Sequence, residues 1–226
     1  MSLFKNIRMV VFDMAGTTIN EGGIVYNTLK DTLRYHNLKF TDQEFNQFHG
    51  INKRDVLNHF IRKETNTIDQ SYEYAVYKYF DESLKYNYFN TNSIKVMDGA
   101  LPLFKKLREN NIKVCFNTGY SRDMAENILN YVNIKLNRDI DDLVASSEVT
   151  SGRPSPYMLQ KLMVKHNILP DETIKVGDTI IDIKEGKNAN TKYQISVLSG
   201  ADSRETLQNG NPHLIVDSVK DLIDHI

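Results

Sequence analysis

The sequence predicts an α/β fold: a doubly wound, mainly parallel sheet with one all-helical insertion after its first strand. Three observations carry this. Short apolar runs alternate with helical patterns from Gly99 to the end of the chain. A first apolar run, Met9 to Phe12, is cut off from that alternation by residues 18–97, which show helical spacing and no strand pattern. Three of the runs end in polar residues, Asp13, Thr118 and Asp178, which a parallel sheet delivers to one edge.

Residues 8–13 read as the first strand, an apolar run closed by one carboxylate, Asp13, and the small-residue turn Ala15-Gly16-Thr17-Thr18. A strand buried on both faces delivers its last side chain to the C-terminal edge of the sheet in this way. On this evidence alone Asp13 is a nucleophile, a metal ligand or a turn-capping acid. Val25, Leu29 and Leu33 then repeat at helical spacing. Thr41 and Glu44 form a capping-box pattern, which starts a helix near Asp42. Gly50 interrupts, and the next helix carries Val56, Leu57, Phe60 and Ile61 on one face. A tyrosine-rich helix runs from about Ile68 to Phe89.

After Gly99 the reading is helix ALPLFKKLREN, strand IKVCFN, helix SRDMAENILNYV with Ser121 as N-cap, and short strand LVASSEV. Helix SPYMLQKLMVKH, strand TIKVGD, helix DIKEGKNAN and strand YQISVLSG follow. A short helix SRETLQN, strand HLIVDS and closing helix VKDLIDHI complete the chain. The domain division is therefore 1–17 with 98–226 as the sheet-bearing core, and 18–97 as the helical insertion.

The 226 residues, 40% hydrophobic, are enough for one sizeable core and a smaller insertion. Lys+Arg number 28 against 29 Asp+Glu, so no overall field favours nucleic acid or an anionic membrane. No apolar run reaches the roughly 20 residues of a membrane span, and the N-terminal one is too short for a signal peptide. The single cysteine, Cys115, excludes an internal disulfide and fits a reducing cytoplasm. Its apolar setting reads as a buried structural thiol.

Asp178 and Asp182 are four residues apart, one helical turn, so both carboxylates can face one site. Acids clustered beside backbone carbonyls suit a hard cation such as Mg²⁺. Thr118 and Gly119, at a strand end, offer a hydroxyl and amides to a phosphate oxygen. Arg153 brings a planar fork suited to the same group, although a loop arginine is often only a solvated charge.

This order of motifs resembles the haloacid dehalogenase superfamily of phosphotransferases, over essentially the whole chain: FDMAGTT is similar to its first motif, CFNTG to its second and VGDTIIDIKEGKNAN to its last. The resemblance implies a Rossmann-like core, with the insertion as a helical cap. It implies that Asp13 is the nucleophile forming an aspartyl-phosphate. Asp13, Asp178 and the Ala15 carbonyl would hold Mg²⁺, Asp182 would support the metal site, and Thr118, Gly119, Arg153 and the backbone at Ala15 and Gly16 would bind the phosphoryl group.

Two departures narrow the match. Most of the superfamily has a general-acid aspartate where this chain has Ala15, and a lysine before the last motif where SGRPSPYM supplies Arg153. Both resemble the phosphonoacetaldehyde hydrolase (phosphonatase) branch and its phosphonatase-like sister group. An alkoxide leaving group needs a proton from an acid. The carbon leaving group of a 2-oxoalkyl phosphonate does not, provided a lysine first forms an iminium with the carbonyl. Gly50-Ile51-Asn52-Lys53 fits the G-x-x-K spacing of that branch and makes Lys53 the expected Schiff-base residue, although a helix lysine is usually a solvated charge. Where the branch tends to have Met, this chain has His49, which points to a different substrate or proton carrier.

The expected partner is thus a small phosphonate, or in the alternative reading a small phosphate ester. The third reading is a non-catalytic binding protein. The eight aromatics between Ser71 and Phe89 either pack the cap or form a homodimer interface through it.

Overall fold

The computed structural model describes residues 3–65, 69–90 and 93–226. The first apolar run forms strand β1 (Met9–Phe12), buried along its whole length. A two-residue strand β2 (Ile19–Asn20) leads into four helices: α1 (Ile24–Tyr35), α2 (Asp42–Asn46), α3 (Lys53–Glu64) and α4 (Gln70–Phe89). Strand β3 (Lys95–Val96) closes this insertion by pairing antiparallel with β2, Ile19 opposite Val96 and Asn20 opposite Lys95. The expectation that 18–97 holds no strand is therefore corrected. Two-residue strands are too short to show a period-2 pattern, and only their distant partner defines them. The expected helix start at Ile68 lies outside the described residues. Within them, Asp69 caps α4 by accepting from the Ser71 and Tyr72 amides.

The remainder alternates as expected: α5 (Ala100–Glu109), β4 (Lys113–Thr118), α6 (Arg122–Tyr131), β5 (Asp142–Ala145), α7 (Tyr157–His166), β6 (Thr173–Gly177), α8 (Ile180–Asn188), β7 (Tyr193–Val197), α9 (Arg204–Asn209) and β8 (Leu214–Val216). The closing segment Val219–His225 is a 3₁₀ helix, and Ser146–Glu148 is a 3₁₀ turn rather than a continuation of β5. Six of the helices (α1 and α5–α9) are followed within two residues by an asparagine at positive φ, from Asn37 to Asn211. Asparagine tolerates the left-handed conformation that ends a helix.

The main sheet has the order β5-β4-β1-β6-β7-β8, and every neighbouring pair is parallel. One face, with Val10, Phe12, Val114, Phe116 and Val176, packs into the larger core. The other, with Met9, Val11, Cys115 and Val144, packs on Met158, Leu159 and Leu162 of α7. From β1 the chain first builds outward through β4 and β5, then returns to β6 on the other side. Ligand sites of open sheets form at such a reversal, beyond the carboxyl ends of the strands.

Candidate active site

The alternation of side chains carries the second face of the sheet past its apolar part into a polar cluster. Asp13 follows Val11, Asn117 follows Cys115, and Lys175 lies opposite Val11 on β6. The Arg153 guanidinium, 4% exposed, joins them. Its Nη1 donates to Asp13 Oδ1 at 2.6 Å and lies 3.1 Å from Asp182 Oδ1. Its Nη2 donates to the carbonyl and side-chain oxygens of Asn117, and its Nε lies 3.2 Å from Glu185. Lys175 Nζ reaches Asn117 Oδ1 at 2.7 Å and Asp182 Oδ1 at 2.9 Å. Asn117 in turn donates to both oxygens of Glu185. Every charge in this floor is buried with a partner, the condition under which buried ions are tolerated.

Asp178 differs. Thr17 Oγ1 donates to its Oδ1 at 3.0 Å and the Ala201 amide to its Oδ2 at 2.7 Å, but no cation among the described residues pairs with it. Burial, then the charges of Asp13 and Asp182, push its carboxyl well above the usual range. Asp13 is also raised, by burial first, with the Arg153 charge opposing. Asp13, Asp178, Asp182 and Glu185 thus stand against two fully paired cations, Arg153 and Lys175. Even with Lys53 of the roof counted, the acids outnumber the buried cations, an excess a dication would offset, and Asp178 is the acid with no ion pair. Among the described residues no group of three or more His, Cys, Asp or Glu side chains forms a metal cage. Mg²⁺ does not require one, because it keeps several waters and takes one or two carboxylates. The donor set of Asp13, Asp178 and the Ala15 backbone fits it.

Asp182 plays a different part from the one its spacing implied. Asp178 precedes α8 rather than lying on it, and Asp182 is the third residue of the helix. Its Oδ2 accepts from the Thr179 amide and hydroxyl in a capping box, while its Oδ1 faces Arg153 and Lys175. These cations hold its pKa at about 2 against the effect of burial. With Oδ2 hydrogen-bonded to Thr179 and Oδ1 ion-paired to two cations, Asp182 does not line the cavity. Gly16 is also re-read. Its amide donates to the Ile19 carbonyl at 2.9 Å, so it is not available to phosphate. With φ +80° and Asp178 Oδ2 only 2.6 Å from where a Cβ would sit, Gly16 is there to let the turn close on Asp178.

The insertion supplies the roof. Asn52 caps α3, so Lys53 is its first residue. The Lys53 ammonium is buried, donates to the Ile51 carbonyl at 3.1 Å and lies 4.9 Å over the Tyr26 ring. Burial lowers its pKa to about 8, with Asp13 opposing and Arg153 assisting. Gly50 (φ +78°) meets the core where Thr179 Oγ1 would lie 2.4 Å from a Cβ, so no other residue lets the roof come so close. Lys53 shares one small cavity with Asp13, Ala15, Thr118, Gly119, Arg153 and Asp178, along with Tyr26 and Tyr120. Its water-accessible space is about 20 Å³, room for one water. The structure therefore brings together the expected site residues except Gly16 and Asp182, which stand behind the cavity wall.

Sequence reasoning missed Lys175, Asn117 and Glu185. A lysine within a strand buried on both faces was the available signal for the first, because such a strand has no solvent face to put it on. Glu185 lies three residues after Asp182, on the same helix face. Also missed was a buried chain across the roof: Tyr88 donates to Glu21 at 3.1 Å and lies 2.5 Å from the Tyr120 hydroxyl.

A family model described as haloacid dehalogenase-like hydrolase matches residues 10–195, which include the Asp13 strand, the roof and the α8 acids. The chain belongs to this family. It is therefore an enzyme. It is 29% identical over 209 residues to a phosphonoacetaldehyde hydrolase of Bacillus cereus (strain AH187), covering 86% of this chain and 77% of the relative. A protein of the same description from Parabacteroides distasonis is 41% identical over 104 residues, 46% of this chain and 39% of the relative. In fold, the chain is similar to a hydrolase from Pseudomonas syringae (TM-score 0.83, 20% identity, 96% and 97% of the two chains covered). It is also similar to a phosphonoacetaldehyde hydrolase like protein from Oleispira antarctica (TM-score 0.81, 21% identity, 97% and 92% covered).

Proposed function

We propose that this hydrolase cleaves the carbon–phosphorus bond of phosphonoacetaldehyde or a related small 2-oxoalkyl phosphonate, through a Lys53 Schiff base and an aspartyl-phosphate at Asp13. The observation that carries this reading is a pairing. A buried lysine with a pKa near 8 shares a cavity with the buried Asp13, and at the position of the superfamily's general acid there is Ala15. Near neutral pH about a tenth of such a lysine is the free amine, against far less than a hundredth for an ordinary one.

The Lys53 amine adds to the substrate carbonyl and water leaves, giving an iminium. An Asp13 oxygen attacks phosphorus in line, the C–P bond breaks, and its electron pair moves into the iminium to give a neutral enamine. The enamine carbon takes a proton, and water releases the carbonyl product and Lys53. A second water hydrolyses the aspartyl-phosphate. Arg153 fixes Asp13 Oδ1 and, with Thr118 and Gly119, faces the equatorial oxygens. Mg²⁺ held by Asp13, Asp178 and the Ala15 carbonyl would screen the two anions as they approach.

Borohydride trapping with phosphonoacetaldehyde, followed by mapping of the modified lysine, tests the proposal. Modification of Lys53 is expected, and release of phosphate without trapping would end it. A parallel phosphate-release screen of small phosphate esters tests the phosphatase alternative. We further infer a cytoplasmic setting, from the single buried Cys115; no helix of the described residues is long and apolar enough to cross a membrane. The homodimer through the cap rests on Tyr74 and Tyr86 of α4, exposed while Phe80 and Tyr88 pack inward, and sedimentation would test it.

A further inference from the structure

The cavity between Lys53 and Asp13 has about 20 Å³ of water-accessible space, less than a phosphonate needs, so admitting one requires the roof to lift. Among the described residues, the seam it closes on carries a buried contact to a carboxylate. His49 Nδ1 lies 2.8 Å from Asp202 Oδ1, with the two side chains only 14% and 5% exposed. We propose that His49 and Asp202 are positioning residues whose hydrogen bond latches the turn before α3 onto the sheet edge and so sets Lys53 over Asp13.

Both ends of the bond are tied to the chemistry without touching the reacting atoms. Asp202 accepts from the Ile180 amide at the start of α8 through its other oxygen, at 2.8 Å, and its own amide reaches the Asp178 carbonyl at 3.3 Å. His49 packs on the Tyr26 ring at 4.5 Å. The Tyr26 hydroxyl accepts the Gly50 amide at 2.9 Å, and its ring lies under the Lys53 ammonium. On the far side of the turn Asn52 donates to Ser146 of the core at 2.8 Å. The turn is thus pinned at residues 49 and 52, and the pin at 49 is the one made to a carboxylate. His49 is absent from the residues lining the cavity, so in this closed arrangement it acts on the site through Tyr26 and Asp202. Its consequence is geometric: without the latch, the amine spends less time within reach of the substrate carbonyl.

The test uses the full chain with His49→Ala and His49→Asn, the latter restoring a donor at the reach of Nδ1. Amide hydrogen exchange over residues 49–53, read without substrate, should rise about tenfold in His49→Ala and return towards wild type in His49→Asn. The initial rate of trapping at Lys53 should fall by a similar factor, in kcat more than in KM, with the same rescue. Asp202→Asn, which keeps an acceptor for Ile180, should move both readouts the same way and less far. Unchanged exchange over 49–53, or a rise spread equally through the sheet, would overturn the latch. The rate arm rests on the Schiff-base reading and the exchange arm does not. A wild-type enzyme that never traps at Lys53 would therefore remove that reading while exchange still decides the latch.

Discussion

The floor and the roof of the cavity both present buried charge, and they stabilise it in opposite ways. On the floor, Arg153 and Lys175 are ion-paired with Asp13, Asp182 and Glu185 and hydrogen-bonded to Asn117, and Arg153 is held more firmly charged than an ordinary arginine. In the roof, Lys53 has one carbonyl and a ring for partners, and burial leaves it partly neutral. A network of paired buried ions cannot move without stranding them, whereas a weakly held amine with a lowered pKa can. The comparison gives the sheet edge fixed electrostatics and, under the proposed function, gives the insertion the covalent chemistry.

The sharpest way to separate the two is to remove each reactive atom in turn. Asp13→Asn should lower turnover by at least about 10⁴-fold, as loss of a nucleophile does, while borohydride still traps substrate on Lys53. Loss of trapping as well would mean that floor and roof do not act independently. Lys53→Arg keeps a cation over the cavity but cannot form an imine, and phosphonate turnover should fall by about 10³-fold or more. Wild-type rates in that variant would discard the division of labour.

Next in size is the stability of the floor. Lys175→Met leaves Asp182 and Glu185 with one buried cation in place of two, and should cost about 3–5 kcal/mol in urea unfolding at pH 7. The same exchange at Lys53, Lys53→Met, should cost little or stabilise, because its buried ammonium is disfavoured to begin with. Equal losses at the two positions would erase the distinction. The pH dependence follows from the same contrast. Protonation silences the Lys53 amine, so the trapping rate should rise about tenfold per pH unit at low pH and level off above about 8. An ordinary lysine would keep the rate rising to about pH 10.

How far this division could be read in advance follows from the same physics. The β/α alternation, the strand-end residues Asp13, Thr118 and Asp178, and the G-x-x-K turn were legible because each is local: a period, a terminus, a spacing. The β2–β3 ribbon was not, since its strands are two residues long and pair across the whole insertion. The floor was half legible. Arg153 was seen but expected to present a free fork, whereas its charge is shared among three acids that the fold collects from β1 and α8. Lys175 reads locally as one more strand residue, and only sheet register sets it beside Asn117. Spacing brought Asp178 and Asp182 together for the wrong reason, since the helix begins after Asp178 and a capping box turns Asp182 inward.

The smallest effect tests whether the roof is held as lightly as its contacts imply. Tyr26→Phe keeps the ring beneath Lys53 and deletes only the hydroxyl that accepts the Gly50 amide. One neutral hydrogen bond is worth about 1 kcal/mol, so amide exchange at Gly50 should rise about fivefold. The pH at which trapping levels off should not move, because the ring and the burial that set the Lys53 charge remain. Global stability in urea should change by no more than about that 1 kcal/mol, since the sheet and its ion network are untouched. A shift of the levelling pH by a full unit would show that the Tyr26 hydroxyl, and not desolvation, discharges the amine, and the roof would then be an electrostatic device of the same kind as the floor.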